Sequence, residues 1–167
     1  MLRLWWIAVT VLVLDQLTKL AAVKYLAAGV IPVLPFFDLE LAYNTGAAFG
    51  FLHNAGGWQR VFFIVVAVGV SGFIIHMLRK LEKHELQLAV ALMLVLGGAI
   101  GNVIDRIYMG KVVDFLHFFY AGWEWPNFNI ADSAIVVGAI LLIIDSFGWR
   151  LLGPKQVVDN REPGSND

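Results

Sequence analysis

The chain has 167 residues, 59% of them hydrophobic and 15% charged, with a net charge of -1 and a mean hydropathy of +0.74. Soluble domains are about 45–50% apolar and about 25% charged, so this balance points to a membrane protein, and the absence of a basic excess argues against nucleic acid as a partner. With no cysteine there is no disulfide, thiol nucleophile or thiolate metal ligand.

In chain order, the first apolar run covers residues 4–27 and is interrupted by Asp15, Gln16, Thr18 and Lys19. Its start, "MLRLWWIAVTVLVL", resembles a signal peptide. "DQLTK" follows instead of a small-residue cleavage site, so the run reads as a retained helix. Asp15 and Lys19 stand at i and i+4, which suits a structural ion pair. Residues 28–57 mix β-branched and aromatic residues with Pro and Gly, and predict short strands with a turn at "NTG". There Asn44 and Gly46 read either as a plain turn or as a substrate-binding edge where small side chains let another backbone approach.

Two more runs, residues 58–78 and 86–106, are long enough to cross a bilayer core of about 30 Å. The second ends in "GGAIGNVIDR". Gly97, Gly98 and Gly101 would allow close helix contact, while Asn102, Asp105 and Arg106 share one face. Arg106 reads as a snorkelling ion-pair partner of Asp105 or of another carboxylate, or, with Asn102, as a residue that orders the site or binds substrate. Residues 107–129 form an aromatic-rich connection suited to the membrane–water interface. A fourth span, residues 130–149, carries Asp132 near its start and Asp145 towards its end, the latter read as structural.

The expected architecture is therefore an all-α integral membrane protein: four transmembrane helices within residues 1–150, with a small β-containing region in the outer loops 28–57 and 107–129. A disordered tail, residues 151–167, follows. Arg3, then Arg79, Lys80 and Lys83, then Arg150, Lys155 and Arg161 fall on one side, which the positive-inside rule makes cytoplasmic, with both termini there.

Asp114, in "KVVDFLHFF", and Asp132 then lie at the same outer depth. Asp132 alone could be a first-turn carboxylate at a helix N-terminus, and Asp114 alone a solvated loop residue. Apolar neighbours on both sides of Asp114 argue against solvation, and an ionisable group at membrane depth is a functional candidate. If adjacent, the two would share a proton, one serving as base toward water and the other as acid toward a peptide. The four histidines, His53, His76, His84 and His117, show no ligand spacing, and no metal site is expected.

Five blocks in order, "DQLTK", "NTGAAF", "GGAIGNVIDR", "VVDF" and "FNIADS", resemble those of the bacterial lipoprotein signal peptidases (signal peptidase II). The resemblance runs to about residue 150. It implies an inner-membrane aspartic endopeptidase without a cofactor, which cuts diacylglyceryl-modified prolipoproteins just before the lipid-bearing Cys and is inhibited by globomycin-type peptides. It implies Asp114 and Asp132 as the catalytic dyad, with Asp15, Lys19, Asn44, Gly46, Asn102, Asp105, Arg106 and Asn129 in support. Nothing in the sequence demands more than a monomer. The rival readings are a small ion-coupled transporter or proton channel, with ionisable residues spread through the membrane depth, and a non-catalytic scaffold subunit.

Overall fold

The computed structural model describes residues 1–46 and 58–152. The end of the "NTGAAF" block, His53 and residues 153–167 of the expected disordered tail lie outside them. Four helices carry the chain: α1 (Trp5–Tyr25), α2 (Trp58–Lys80), α3 (Leu86–Met109) and α4 (Ile130–Ser146). Three helical stretches, residues Leu2–Tyr25, Trp58–Lys80 and Leu86–Met109, are long and apolar enough to cross a membrane; α4, with 17 residues, is shorter.

The helix α3 is central and touches all three others, while α1 and α4 also meet each other. Small residues set this geometry. The buried face of α1 is Ala8, Val11, Asp15, Lys19 and Ala22, at steps of three and four. It lies on the glycines of α3: a Cβ at Gly97 would stand 2.7 Å from the Ala8 carbonyl, and one at Gly101 2.6 Å from Asp15 Oδ2. On the α4 side, Gly98 abuts the Ala131 carbonyl, and a Cβ at Gly138 would lie 2.8 Å from the Ala91 carbonyl. Close backbone approach through small side chains is how helices associate where no water is expelled. Outside these seams the helices expose apolar side chains, including Leu17, Leu20, Val65, Phe73, Val137 and Ile140. Such a surface is suited to lipid.

The outer segments build a four-stranded antiparallel sheet in the order β1 (Ile31–Leu34), β2 (Phe37–Asn44), β3 (Val112–Tyr120) and β4 (Trp123–Glu124). One face packs Val113 and Phe115 against Ala22 and Leu26 at the end of α1. Strands in the first loop and the "NTG" turn are as expected: Gly46 has φ +96° and donates its N–H to Asn44 Oδ1 at 2.8 Å. The second loop differs from expectation. Residues 112–120 are a nine-residue strand, since Val112, Val113, Asp114 and Phe115 are all buried and have no solvated face. The expected small β-containing region beside the helices is thus present, as this four-stranded sheet.

Helix limits shift as well. α3 runs on to Met109 and stops where Gly110 adopts φ +75°, donating back to the Arg106 carbonyl. α2 extends to Lys80, α1 ends at Tyr25, and α4 ends at Ser146, ahead of Gly148 at φ +75°.

Candidate active site

The sheet and the helix bundle meet at two carboxylates. Asp114 sits on β3, opposite Ala42 of β2. Between Leu39 and Ala42 the register shifts, with β2 carrying one more residue than β3, the pattern of a β-bulge. On its other side β3 holds Phe128, whose carbonyl accepts from the Phe115 and Leu116 N–H groups. That clamp delivers Asn129, the N-cap of α4, to Asp114. Asn129 Oδ1 accepts from the Asp132 N–H at 2.9 Å, and its Nδ2 donates to Asp114 Oδ1 at 2.6 Å. One buried amide thus ties the strand carboxylate to the first turn of the helix that bears the other. Asp132 is in that first turn, but Asn129 is the cap.

Each carboxylate receives an amide donor. Asn102 Nδ2 of α3 donates to Asp132 Oδ1 at 2.7 Å. Asp114 also hydrogen-bonds the Asn44 side chain; since Asn44 Oδ1 already accepts from Gly46, the Asn44 amide nitrogen is the group available to donate. Asp114 is almost wholly buried, 1% exposed. Burial, and then the neighbouring Asp132 charge, push its carboxyl up to about 7, against donors from Asn44 and Asn129 and the charge of Lys19. Its protonated form is therefore favoured below about pH 7.

Behind the pair lies a second layer. Lys19 Nζ contacts Asp15 Oδ2 at 2.8 Å, Asp105 Oδ2 at 2.9 Å and Asn102 Oδ1 at 3.0 Å. Gln16 Nε2 donates to Asp105 Oδ1 at 3.0 Å and to Asp15 Oδ2 at 3.2 Å. The expected Asp15–Lys19 pair is present, but as part of a wider cluster. Arg106 makes no ion pair among the described residues. Its guanidinium donates to the Asn102 carbonyl at 3.2 Å and lies 5.0 Å from the centroid of the Phe63 ring. A Cβ on Gly46 would also run into that ring. Asp145, at the other end of α4, accepts from Gln87.

Sequence reasoning passed over Gln16, Phe63 and the backbone N–H groups of Ala131 and Val113. Gln16 alone had a signal, a second polar side chain beside Asp15 in an apolar helix. Asp114 opens onto a cavity of about 400 Å³ lined by β2 and by Pro126 and Asn127, with Glu40, Ala42 and Asn44 among its walls. Among the described residues, no group of three His, Asp or Glu side chains is placed to hold a metal.

A buried and a half-buried carboxylate, each with an amide donor, at one end of a bundle of apolar helices mark this as a membrane enzyme. Two solved structures described as a bacterial membrane enzyme share the fold: one has TM-score 0.76 and 35% identity over 85% of each chain, the other 0.75 and 34% over 84% of this chain and 90% of that one. The model of the Signal peptidase (SPase) II family matches residues 7–148, and the chain belongs to that family of peptidases. Its relatives include the lipoprotein signal peptidases of Aeromonas hydrophila subsp. hydrophila, 49% identical over 148 residues (87% of this chain, 89% of the relative), and of Burkholderia mallei strain SAVP1, 50% identical over 143 residues (84% and 86%).

Proposed function

We propose that the chain removes the signal peptide from diacylglyceryl-modified prolipoproteins, cutting just before the lipid-bearing Cys, with Asp114 and Asp132 as its catalytic pair. The observation that carries this is the Asn129 bridge, which ties the buried Asp114 carboxylate, beside a cavity, to the first turn of the helix that bears the half-buried Asp132. Ionised Asp132 takes a proton from water as its oxygen attacks the scissile carbonyl carbon. Protonated Asp114 gives its proton to the carbonyl oxygen, forming a neutral tetrahedral diol. On collapse, the C–N bond breaks, Asp132 returns its proton to the leaving amine, and Asp114 takes one back from a diol hydroxyl. Asn102 and Asn129 keep the carboxylates aimed; Asn44 and the small residues around it offer the peptide an edge. Arg106 sits beside Asn102 and adds positive charge near both carboxylates.

In this reading α4 is the fourth span, and residues 1–150 are one membrane peptidase domain in the bacterial inner membrane. Arg79, Lys80 and Lys83 put the far end of the bundle in the cytoplasm, with both chain termini. The sheet and the pair then lie at the periplasmic surface, where a signal helix already in the bilayer presents its cleavage bond. The enzyme acts as a monomer and binds globomycin-type peptides at this site. The proton-channel alternative is disfavoured by the buried face of α3. Between Gln87 and Gly101 that face is Ala89, Ala91, Leu92, Met93, Leu96, Gly97, Gly98 and Ala99, which offers protons no polar path.

The test is a gel-shift assay with purified enzyme, a lipid-modified prolipoprotein and its unmodified twin. Cleavage of the lipidated form alone, lost in Asp114→Asn and Asp132→Asn, is expected. A folded wild type that cleaves neither would overturn the assignment.

A further inference from the structure

Lys19 occupies an unusual place for an i,i+4 ion-pair partner. It is 3% exposed, and its ammonium spends its donors on three acceptors: Asp15, Asp105 and Asn102 Oδ1. Each of the three reaches on toward the catalytic pair. Asp15 Oδ1 accepts from the Ala131 N–H at 2.9 Å, the residue before Asp132. Asp105 Oδ2 accepts from the Val113 N–H at 3.1 Å, the residue before Asp114. Asn102 donates to Asp132 itself. The backbone beside both carboxylates is thus held by carboxylates that Lys19 pairs.

The lysine also fixes a polarity. An amide can be turned either way, but an ammonium has no acceptor function. With Lys19 Nζ at 3.0 Å, the facing atom of Asn102 must be its oxygen, so its NH₂ must face Asp132. The same oxygen receives Asn129 Nδ2 at 3.3 Å, which orients Asn129 with its NH₂ on Asp114 and its oxygen on the Asp132 N–H. Turned over, either amide would set oxygen against carboxylate.

We infer that Lys19 is the positioning residue of the pair: through Asp15, Asp105 and Asn102 it sets the spacing of the two carboxylates and dictates that each meets an N–H donor. The inference rests on the peptidase reading above. Among the described residues, the charged groups around the pair include Asp15 and Lys19 from α1, Asp105 and Arg106 from α3, and Glu40 from β2 across the cavity. Lys19 is the only one of these cations that contacts Asn102 Oδ1, the oxygen shared by both amides.

The experiment follows cleavage of a lipid-modified prolipoprotein by wild type and Lys19→Gln, per mole of folded enzyme, across pH. We expect kcat to fall about 100-fold, the cost of a small misplacement of reacting groups, with KM within about threefold. The alkaline limb, set by loss of the Asp114 proton, should move up by about one pH unit as a nearby cation is lost. A merely structural Lys19 would instead lower the yield of folded enzyme and leave kcat and the pH profile of the folded fraction unchanged; that result overturns the inference. Should Lys19→Gln not fold, Asn102→Asp keeps an acceptor for Lys19 but removes the N–H from Asp132. It is expected to lose kcat similarly, and wild-type turnover by it overturns the inference. Failure of the wild type to cleave would overturn the peptidase reading itself, and this one with it.

Discussion

Replacing Asp114 with asparagine should remove activity and also change how stability depends on pH. Asp114 is buried, and its carboxyl is raised from 3.8 to about 7. A raised carboxyl binds its proton more tightly in the folded state. Its contribution is therefore intact below about pH 4 and is lost as pH rises through about 7. Integrating the proton difference between pH 5 and pH 8 gives a loss of about 3 kcal/mol from this one group. Asparagine has nearly the same shape, can accept from Asn129 and carries no charge to desolvate, so the variant should escape that loss. By the scaling for domains of this size, the gap is on the order of 5–10 °C in Tm. The assay is thermal unfolding in detergent at pH 5 and pH 8, wild type beside Asp114→Asn. The variant should be the more stable protein at pH 8 and close to wild type at pH 5. Equal pH dependence in the two proteins would refute the reasoning, because the buried proton would then reside elsewhere.

Asp132→Asn should leave a folded protein with no measurable cleavage in the gel-shift assay; substantial turnover would remove Asp132 from the chemistry. Gly98→Ala places a methyl against the Ala131 carbonyl, next to Asp132. It should cost about 1–3 kcal/mol in thermal unfolding and lower kcat. Asp145→Asn retains an acceptor for Gln87 at the far end of α4, so it should cleave at the wild-type rate with a stability loss of about 1 kcal/mol or less. A chelator should leave cleavage intact; inhibition by EDTA that zinc restores would contradict the carboxylate pair as the whole of the chemistry.

Asp114 and Asp132 were legible as candidates because hydropathy suggests depth, and two acids expected at one depth in an apolar chain invite pairing. The small residues of α3 were legible for a similar reason, since glycines at 97, 98 and 101 have few other uses in a membrane helix. β3 was not. Strand recognition relies on alternation, and "VVDF" is buried on both faces, so its pattern matches an aromatic loop or a short helix equally well. The reach of Lys19 was also hidden. Spacing reveals its partner one turn away, Asp15, but Asp105 lies 86 residues further on, and only the packing of α1 on α3 joins them. The same limit applies to the Ala131 and Val113 N–H groups, which every residue carries and no residue type announces.

The brevity of α4 has a physical consequence for the reaction. Seventeen helical residues rise about 26 Å, some 4 Å less than a bilayer core of about 30 Å. The end of α4 away from Asp132 is stapled, because Gln87 donates to Asp145 and to the Trp149 carbonyl and accepts from the N–H groups of Leu151 and Leu152. On the proposed orientation the shortfall therefore falls at the Asp132 end. A bilayer meets such a mismatch by thinning, at a fraction of a kcal/mol per Å. With α4 as a span in the proposed orientation, such thinning would bring the hydrocarbon boundary toward the carboxylates and give hydrolytic water a route to them without a tunnel through the helices.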